Sequence, residues 1–259
     1  MTADLSIGVA QTVAAAGDVE GNLHQHLELA ELAATEGVEV LAFPELSLTG
    51  YELGLAEELA FAADDKRLDP LSRSASTLGI TLVVGAPARS GTRLHIAAFI
   101  LCPSGRIDVY TKMNLGAFSD SAAVDGSVPP PEASVFAPGD LNPALHLASA
   151  MGALAVCADT GRPDHSQRAA DAGASIYLAG MFVIPSDHKA EVANLRSITT
   201  RHGMAVAFAN YGGPTGGLRS AGGSAIWSER GDLVAQLGSE GVGVATAHRI
   251  GGRWQGAVL

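Results

Sequence analysis

Apolar positions along the chain switch between a two-residue and a three-to-four-residue period, which predicts alternating strands and helices. Leu5 to Thr12 reads as a strand. From Val19 to Glu36, the residues Leu23, Leu27, Ala30 and Ala34 share one helical face, and Gly37 suits the left-handed position that commonly ends a helix. Strand pattern returns from Val38 to Phe43. A helical pattern then runs from Leu55 to Leu78, broken near Asp69-Pro70. Three strands are predicted next: Thr81 to Ala86, Leu94 to Leu101 and Arg106 to Thr111. The turn Cys102-Pro103-Ser104-Gly105 makes the last two an antiparallel hairpin. Gly116 to Pro131 is a long loop carrying three successive prolines, Pro129 to Pro131. Loops of that length within a compact domain are usually functional or mobile.

Strands resume over Ala144 to Leu147 and Ala153 to Cys157. A helix starts near Pro163, where proline suits the first turn and Asp164 suits the positive N-terminal end. Ser175 to Ala179 is strand, Ser186 to His202 helix and Met204 to Asn210 strand. Three more strands follow: Gly223 to Ser228, Asp232 to Leu237 and Val242 to His248. The order opens as β-α-β, but hairpins interrupt it. That argues against a purely parallel doubly wound sheet and for layered sheets with outer helices, an α/β fold. No linker or shift in composition divides the chain, so residues 1–259 are expected to form a single domain, in keeping with the length.

Composition narrows the function classes. Hydrophobic residues make up 47% of the 259 and mean hydropathy is +0.22, ample for a core. Charged residues are 17%, too few for long disordered tails. The net charge of −11 repels phosphate backbones, and no Lys/Arg cluster offsets it, so no nucleic-acid partner is expected. Cys102 and Cys157 are far apart, which is neither a disulfide framework nor a zinc site, so no metal is expected. Two isolated thiols suit a reducing cytoplasm. The start, Met1-Thr2-Ala3-Asp4-Leu5, has the opposite polarity to a secretory signal, and the longest apolar stretch, Ile96 to Cys102, is too short to span a bilayer. The expectation is a cytoplasmic protein with no membrane partner.

Three reactive side chains sit where apolar runs end: Glu45 after Val38 to Pro44, Lys112 after Ile107 to Thr111, and Cys157 after Ala153 to Val156. A thiol is the strongest common protein nucleophile but needs a base to become a thiolate. Glu45 can be that base if burial raises its pKa. Attack on an amide carbonyl builds charge on oxygen, which Lys112 and the backbone N–H after Cys157 can stabilise. Each residue also has an ordinary reading. Buried cysteines mostly act as small hydrophobes, and Cys102 fits that description. A strand-end glutamate can be merely solvated, and an isolated lysine is usually a surface charge. Taken together, three such placements point to a hydrolase.

These residues resemble a family. Phe43-Pro44-Glu45-Leu46-Ser47-Leu48-Thr49-Gly50-Tyr51 looks like the glutamate motif of the nitrilase superfamily, the carbon-nitrogen hydrolases. Tyr110-Thr111-Lys112-Met113-Asn114-Leu115 resembles its lysine motif. Val156-Cys157-Ala158-Asp159, with Pro163-Asp164 downstream, resembles its cysteine motif. The likeness runs from Ile7 to the terminal strands. It implies a four-layer αββα sandwich of two mixed sheets with outer helices, and assembly into a homodimer or larger homo-oligomer through the helix after the cysteine. It implies Glu45, Lys112 and Cys157 as catalytic residues, no cofactor, and a small-molecule amide-like substrate cleaved through a Cys157 thioester. It also implies a second, substrate-positioning glutamate shortly before a Phe-x-Pro-Gly-like stretch. Glu132, ahead of Phe136-Ala137-Pro138-Gly139, is the only glutamate between Lys112 and Cys157; the ordinary reading is an exposed loop carboxylate.

Some positions depart from the family pattern. Met113-Asn114 follow the lysine in place of a histidine or aromatic pair. Ala158 and Gly161 stand where a bulky residue and an arginine are common, with Arg162 one step late. Residues beside the nucleophile shape the substrate pocket, so Ala158 is expected to line it. Nitrile, carbamoyl and amide substrates all fit the same triad. Two other readings stay open: a Cys-His-Asp hydrolase using His165 or His202 as base, and a non-catalytic ligand-binding scaffold. His165 is expected at the surface or as a cap. The Gly212–Gly217 stretch lacks a phosphate-loop ending and leads into a strand, so it reads as a turn. His24 and His26, two apart on a helix, point apart and cannot share a metal.

Overall fold

The computed structural model describes residues 4–119 and 128–259; residues 120–127 of the expected long loop and the first three residues lie outside the described set. Two mixed sheets pack face to face with helices outside each. The first sheet contains β1 (Leu5–Gln11), β2 (Val40–Ala42), β3 (Thr81–Ser90), β4 (Arg93–Leu101), β5 (Ile107–Thr111), β12 (Gly243–Ile250) and β13 (Arg253–Val258), in the order β13-β12-β1-β2-β3-β4-β5. The second contains β6 (Leu145–His146), β7 (Met151–Val156), β8 (Ile176–Gly180), β9 (Ala205–Ala209), β10 (Ala225–Trp227) and β11 (Leu233–Gln236), in the order β11-β10-β9-β8-β7-β6. Each sheet has a parallel centre, β1-β2-β3 and β7-β8-β9, flanked by antiparallel neighbours.

Strands buried on both faces need nearly continuous apolar sequence. Leu94 to Leu101 and Ala205 to Ala209 have it. The inner core between the sheets includes Ile7, Val83, Ile100, Leu154, Leu178 and Ala207. On the outside of the first sheet lie α1 (Val19–Thr35) and α3 (Asp69–Leu78), burying Leu29, Ala33, Leu71 and Ala75 against Leu41, Leu82 and Phe99. On the outside of the second lie α4 (Pro163–Asp171) and α5 (Pro185–His202), with Ala169, Leu195 and Ile198 against Tyr177, Val206 and Phe208. The result is the four-layer αββα sandwich.

Three local differences from the sequence reading have physical causes. The helix expected from Leu55 to Leu78 is instead a single turn, α2 (Ala56–Leu59), followed by an irregular stretch before α3. Phe61 is drawn out of helix: its N–H donates to Pro87 O, its carbonyl accepts from Arg89 N, and its ring is fully buried beneath the Arg67 guanidinium. Strand β13 was not expected, because Arg253 to Val258 is mostly exposed and owes its strand form to pairing with β12. The buried face of α1 centres on Asn22, His26, Leu29, Ala30 and Ala33, so Leu23 and Leu27 sit at its margin.

Topology brings the chain ends of several strands together. β5 runs parallel to β3, since β4 is antiparallel to both. Thr12 and Tyr211, just beyond β1 and β9, form a parallel bridge, so both sheets present the carboxyl ends of their central strands at the same end of the molecule. That is where open α/β sheets place their ligands.

Candidate active site

Glu45 lies three residues past β2, in a turn clamped between the two sheets. A Cβ on Gly85 of β3 would meet Leu46 N at 2.4 Å and Pro44 O at 2.5 Å, and one on Gly180 of β8 would meet Phe43 O at 2.7 Å. Glycine at both positions is what admits the Glu45 backbone. The turn is also pinned by hydrogen bonds. Leu48 N donates to Gly85 O at 2.9 Å, Gly85 N to Ser47 Oγ at 3.1 Å, and the Tyr211 hydroxyl to Glu45 O. His26 of α1 contacts Ser47 Oγ through Nε2 at 2.8 Å and Asn22 O through Nδ1 at 2.7 Å, and stacks on Phe43. His26 is therefore a core residue of this support; His24 is exposed.

Lys112 follows β5 and is fully buried. Its Nζ lies 2.7 Å from Glu45 Oε1 and 2.7 Å from Glu132 Oε1. Glu132 opens a single 3₁₀ turn, Glu132–Ser134, and is buried rather than exposed on a loop. The Tyr51 hydroxyl donates to its Oε1 at 2.8 Å and Gly116 N to its Oε2 at 2.6 Å. The Phe136–Gly139 stretch packs beside the lysine, with Gly139 N donating to Lys112 O at 2.7 Å.

Cys157 immediately follows β7 and has φ +45°, a left-handed value that costs a non-glycine residue roughly 1–2 kcal/mol. The surrounding bonds enforce it: Thr160 N and Thr160 Oγ1 both donate to Cys157 O, and Val156 N donates to Asp159 Oδ2. Asp159 is buried and also accepts from Tyr110 OH at 2.6 Å and from Asn114 N and Nδ2. It joins the cysteine turn to the lysine loop. The Cys157 thiol faces Phe182 O at 3.8 Å.

Burial dominates the electrostatics. It raises the Glu45 carboxyl from 4.5 to about 7 against the pull of the Lys112 ammonium, with the Glu132 charge adding to the rise. Lys112 is held firmly protonated: Glu45, Cys157 and Glu132 outweigh the desolvation that opposes it. Burial and then the Glu45 charge push the Cys157 thiol up, while Lys112 pulls it down. The resting site therefore holds a thiol, an ammonium and a carboxyl that titrates near neutrality. Glu45 Oε1 is taken up by Lys112, and the Cys157 thiol is a further hydrogen-bonding neighbour of the same carboxyl.

A cavity of about 160 Å3 opens onto Cys157. Tyr51, Phe118, Phe182 and Val183 give it apolar walls, and Ala158 and Gly161 are the small residues that line it near Cys157. Asp187 and Glu191 of α5 stand in the same wall. Burial, and then Asp187, raise the Glu191 carboxyl. Among the described residues no group of three or more His, Cys, Asp or Glu side chains could hold a metal ion.

Comparison with known proteins fits this geometry. The carbon-nitrogen hydrolase family profile matches residues 6–255. The chain belongs to the carbon-nitrogen hydrolase family. A hydrolase from Pseudomonas protegens, described by its position in the pqqF 5′ region, is 30% identical over 227 residues, covering 85% of this chain and 74% of that protein. A glutamine-dependent NAD(+) synthetase from Thermotoga maritima is 24% identical over 239 residues, but this hydrolase spans only 39% of its length. Among solved structures, a cysteine-to-serine mutant of the Nesterenkonia AN1 amidase, a nitrilase-superfamily protein, superposes with a TM-score of 0.81 at 26% identity, covering 93% of this chain and 90% of that one. A cysteine-to-alanine mutant of that amidase, in complex with butyramide, gives 0.81 at 25% identity, covering 95% and 91%. This hydrolase acts on carbon-nitrogen bonds other than peptide bonds.

In this hydrolase the structure brings Glu45, Lys112, Glu132 and Cys157 to one place, with Ala158 in the pocket wall. His165 is not at the surface: both ring nitrogens are engaged by buried tyrosine hydroxyls. His202 contacts Ser166. Neither histidine hydrogen-bonds Cys157, so the Cys-His-Asp arrangement gains no support. The glycine-rich stretch at Gly212–Gly217 braces the site: Thr215 Oγ1 accepts from Tyr51 N, and Gly216 lies against Tyr51. Tyr51 as a partner of Glu132, and the α5 acids in the pocket wall, escaped the sequence reading. Spacing of four on one helix was the available signal for Asp187 and Glu191.

Proposed function

We propose that this protein is a cofactor-independent amidase for small aliphatic amides, with Cys157 as nucleophile, Glu45 as general base and acid, Lys112 as oxyanion stabiliser and Glu132 as positioning carboxylate. The observation that carries this reading is Lys112 Nζ held 2.7 Å from two buried carboxylates beside a part-buried cysteine at the floor of a cavity. Glu45 Oε2 takes the proton from Cys157 Sγ, and the thiolate attacks the amide carbon. Two of the three Lys112 N–H bonds are committed to carboxylates. The third, with the N–H of Ala158, serves the developing oxyanion. Glu45 returns the proton to the amide nitrogen as the C–N bond breaks, and ammonia leaves a thioester. Glu45 then takes a proton from water, whose oxygen attacks the thioester carbon. Collapse releases the acid and restores the thiol.

Size and polarity define the substrate. A cavity near 150 Å3 accepts a six-heavy-atom molecule such as benzene, so about 160 Å3 suits an amide with a short acyl chain. Asp187 and Glu191 disfavour acyl groups ending in carboxylate. The test is ammonia release from a panel of short amides, butyronitrile, an N-carbamoyl amine and glutamine. Short neutral amides should turn over best, and the protein should trap an acyl adduct on Cys157. Full turnover by Cys157→Ala, or an acyl adduct surviving in that variant, sinks the proposal. Family resemblance and two free thiols support a cytoplasmic homo-oligomer, which light scattering of the purified protein would check.

A further inference from the structure

Behind the cysteine turn lies a buried polar network that the proposed chemistry leaves unused. Tyr110, Asp159, His165 and Tyr177 are all nine-tenths buried or more. Tyr110 is the penultimate residue of β5, Asp159 lies two residues past Cys157, His165 is in the first turn of α4, and Tyr177 is in β8. The network thus spans both sheets and an outer helix.

Counting protons fixes the direction of every bond in it. A carboxylate only accepts, so Tyr110 donates its single hydroxyl proton to Asp159 Oδ2 at 2.6 Å. The contact between Tyr110 Oη and His165 Nε2, at 2.9 Å, then needs its proton from the ring. A neutral imidazole with Nε2–H has a bare Nδ1, which accepts from Tyr177 OH at 2.8 Å. The chain runs one way: Tyr177 to His165 to Tyr110 to Asp159. Burial lowers the His165 pKa, which favours this neutral form.

The terminus of that chain is the carboxylate that holds the reactive loops. Asp159 accepts four hydrogen bonds, from Tyr110 OH, Val156 N, Asn114 N and Asn114 Nδ2. Val156 precedes the nucleophile in sequence, and Asn114 lies two residues after Lys112. We infer that His165 is a positioning residue: through Tyr110 it aims Asp159, and so sets the left-handed turn of Cys157 against the lysine loop. This rests on Cys157 being the nucleophile. Chains of aligned hydrogen bonds polarise one another, so removing a remote member loosens the last bond as well.

The test has three readouts on the full-length protein. Nitrogen-15 shifts of the His165 ring should show a protonated Nε2 and a bare Nδ1; the opposite tautomer overturns the inference. His165→Leu should lower kcat for a short amide by about 10- to 100-fold with KM changed less than about threefold, the signature of a misplaced reacting group. His165→Gln, which offers an N–H to Tyr110 and an oxygen to Tyr177, should recover most of that loss. Alkylation of Cys157 by iodoacetamide, read by peptide mass, should slow in the Leu variant and recover in the Gln variant. A folded Leu variant with parental kcat and alkylation rate overturns the inference, as does a Gln variant no better than Leu. Should the Leu variant not fold, Tyr177→Phe decides, because it removes only the distal donor: a several-fold loss of kcat supports the chain and no loss refutes it. Tautomer and alkylation do not need amide turnover, so they judge this inference even if Cys157→Ala proves active and the amidase reading fails.

Discussion

Gly85→Ala neither adds nor removes a reacting group, yet it should disable the site. The added Cβ would sit 2.4 Å from Leu46 N, 2.5 Å from Pro44 O and 3.0 Å from the Glu45 carbonyl carbon. Ordinary contact begins at 3.4 Å, so the deficit is about 1 Å, and all three atoms are backbone with no rotamer to escape into. Strand β3 cannot yield readily, because it is paired on both sides, with β2 and β4. The Glu45 turn cannot retreat freely either, since Gly180 of the other sheet closes behind Phe43. The clash must therefore displace Glu45 against Lys112 by a large part of an ångström. Misplacement on that scale costs ~100-fold in rate, about 2.7 kcal/mol of transition-state stabilisation. Overpacking of this kind costs roughly 1–3 kcal/mol in stability. The assay is kcat/KM on a short amide together with thermal unfolding. Gly238→Ala is the control, because a Cβ there meets nothing within 4 Å and its φ is unexceptional. A Gly85→Ala protein with kcat/KM within threefold of the parent and an unchanged melting temperature would refute the clamp.

Three further outcomes are expected. Activity should rise with pH as Glu45 loses its proton, with the acidic limb of kcat/KM centred near 7, and a limb centred below 5 would contradict the burial argument. Lys112→Met leaves Glu45 and Glu132 buried without their shared cation, so denaturant unfolding should report a loss of about 3–5 kcal/mol; a loss under ~1 kcal/mol would show that the pair relaxes into solvent. His26 titrates at about 4 in the folded protein because burial disfavours its charge, against 6.5 in the unfolded chain. The unfolded state then binds the extra proton, so the His26 contribution is fully present above pH 6.5 and is lost as pH falls toward 4. It amounts to about 3 kcal/mol, and the pH dependence of unfolding should flatten over that window in His26→Gln.

Much of the architecture was legible because buried strands and amphipathic helices write their period into the sequence. β1, β4, β9 and α5 appear nearly where the pattern put them. The failures came where tertiary contacts override local preference. Phe61 belongs to an apolar helical pattern, yet a bridge to Ala88 takes it. Arg253 to Val258 carries almost no apolar signal, yet an available strand edge organises it. The positions of Glu45, Lys112 and Cys157 were legible as strand ends, and Glu132 only through resemblance. Their approach to one another was not, because it depends on two sheets meeting and on Gly85 and Gly180 leaving room for a turn. The burial of His165 was missed because its partners, Tyr110 and Tyr177, are brought to it from strands in different sheets.

That division of labour between sheets has a further consequence. Glu45 and Lys112 leave one sheet and Cys157 leaves the other, so these three side chains stay together only while the two layers, packed through a shared apolar core, keep their register. Substitutions along that seam that look like routine core changes should therefore also shift Cys157 against Glu45 and Lys112.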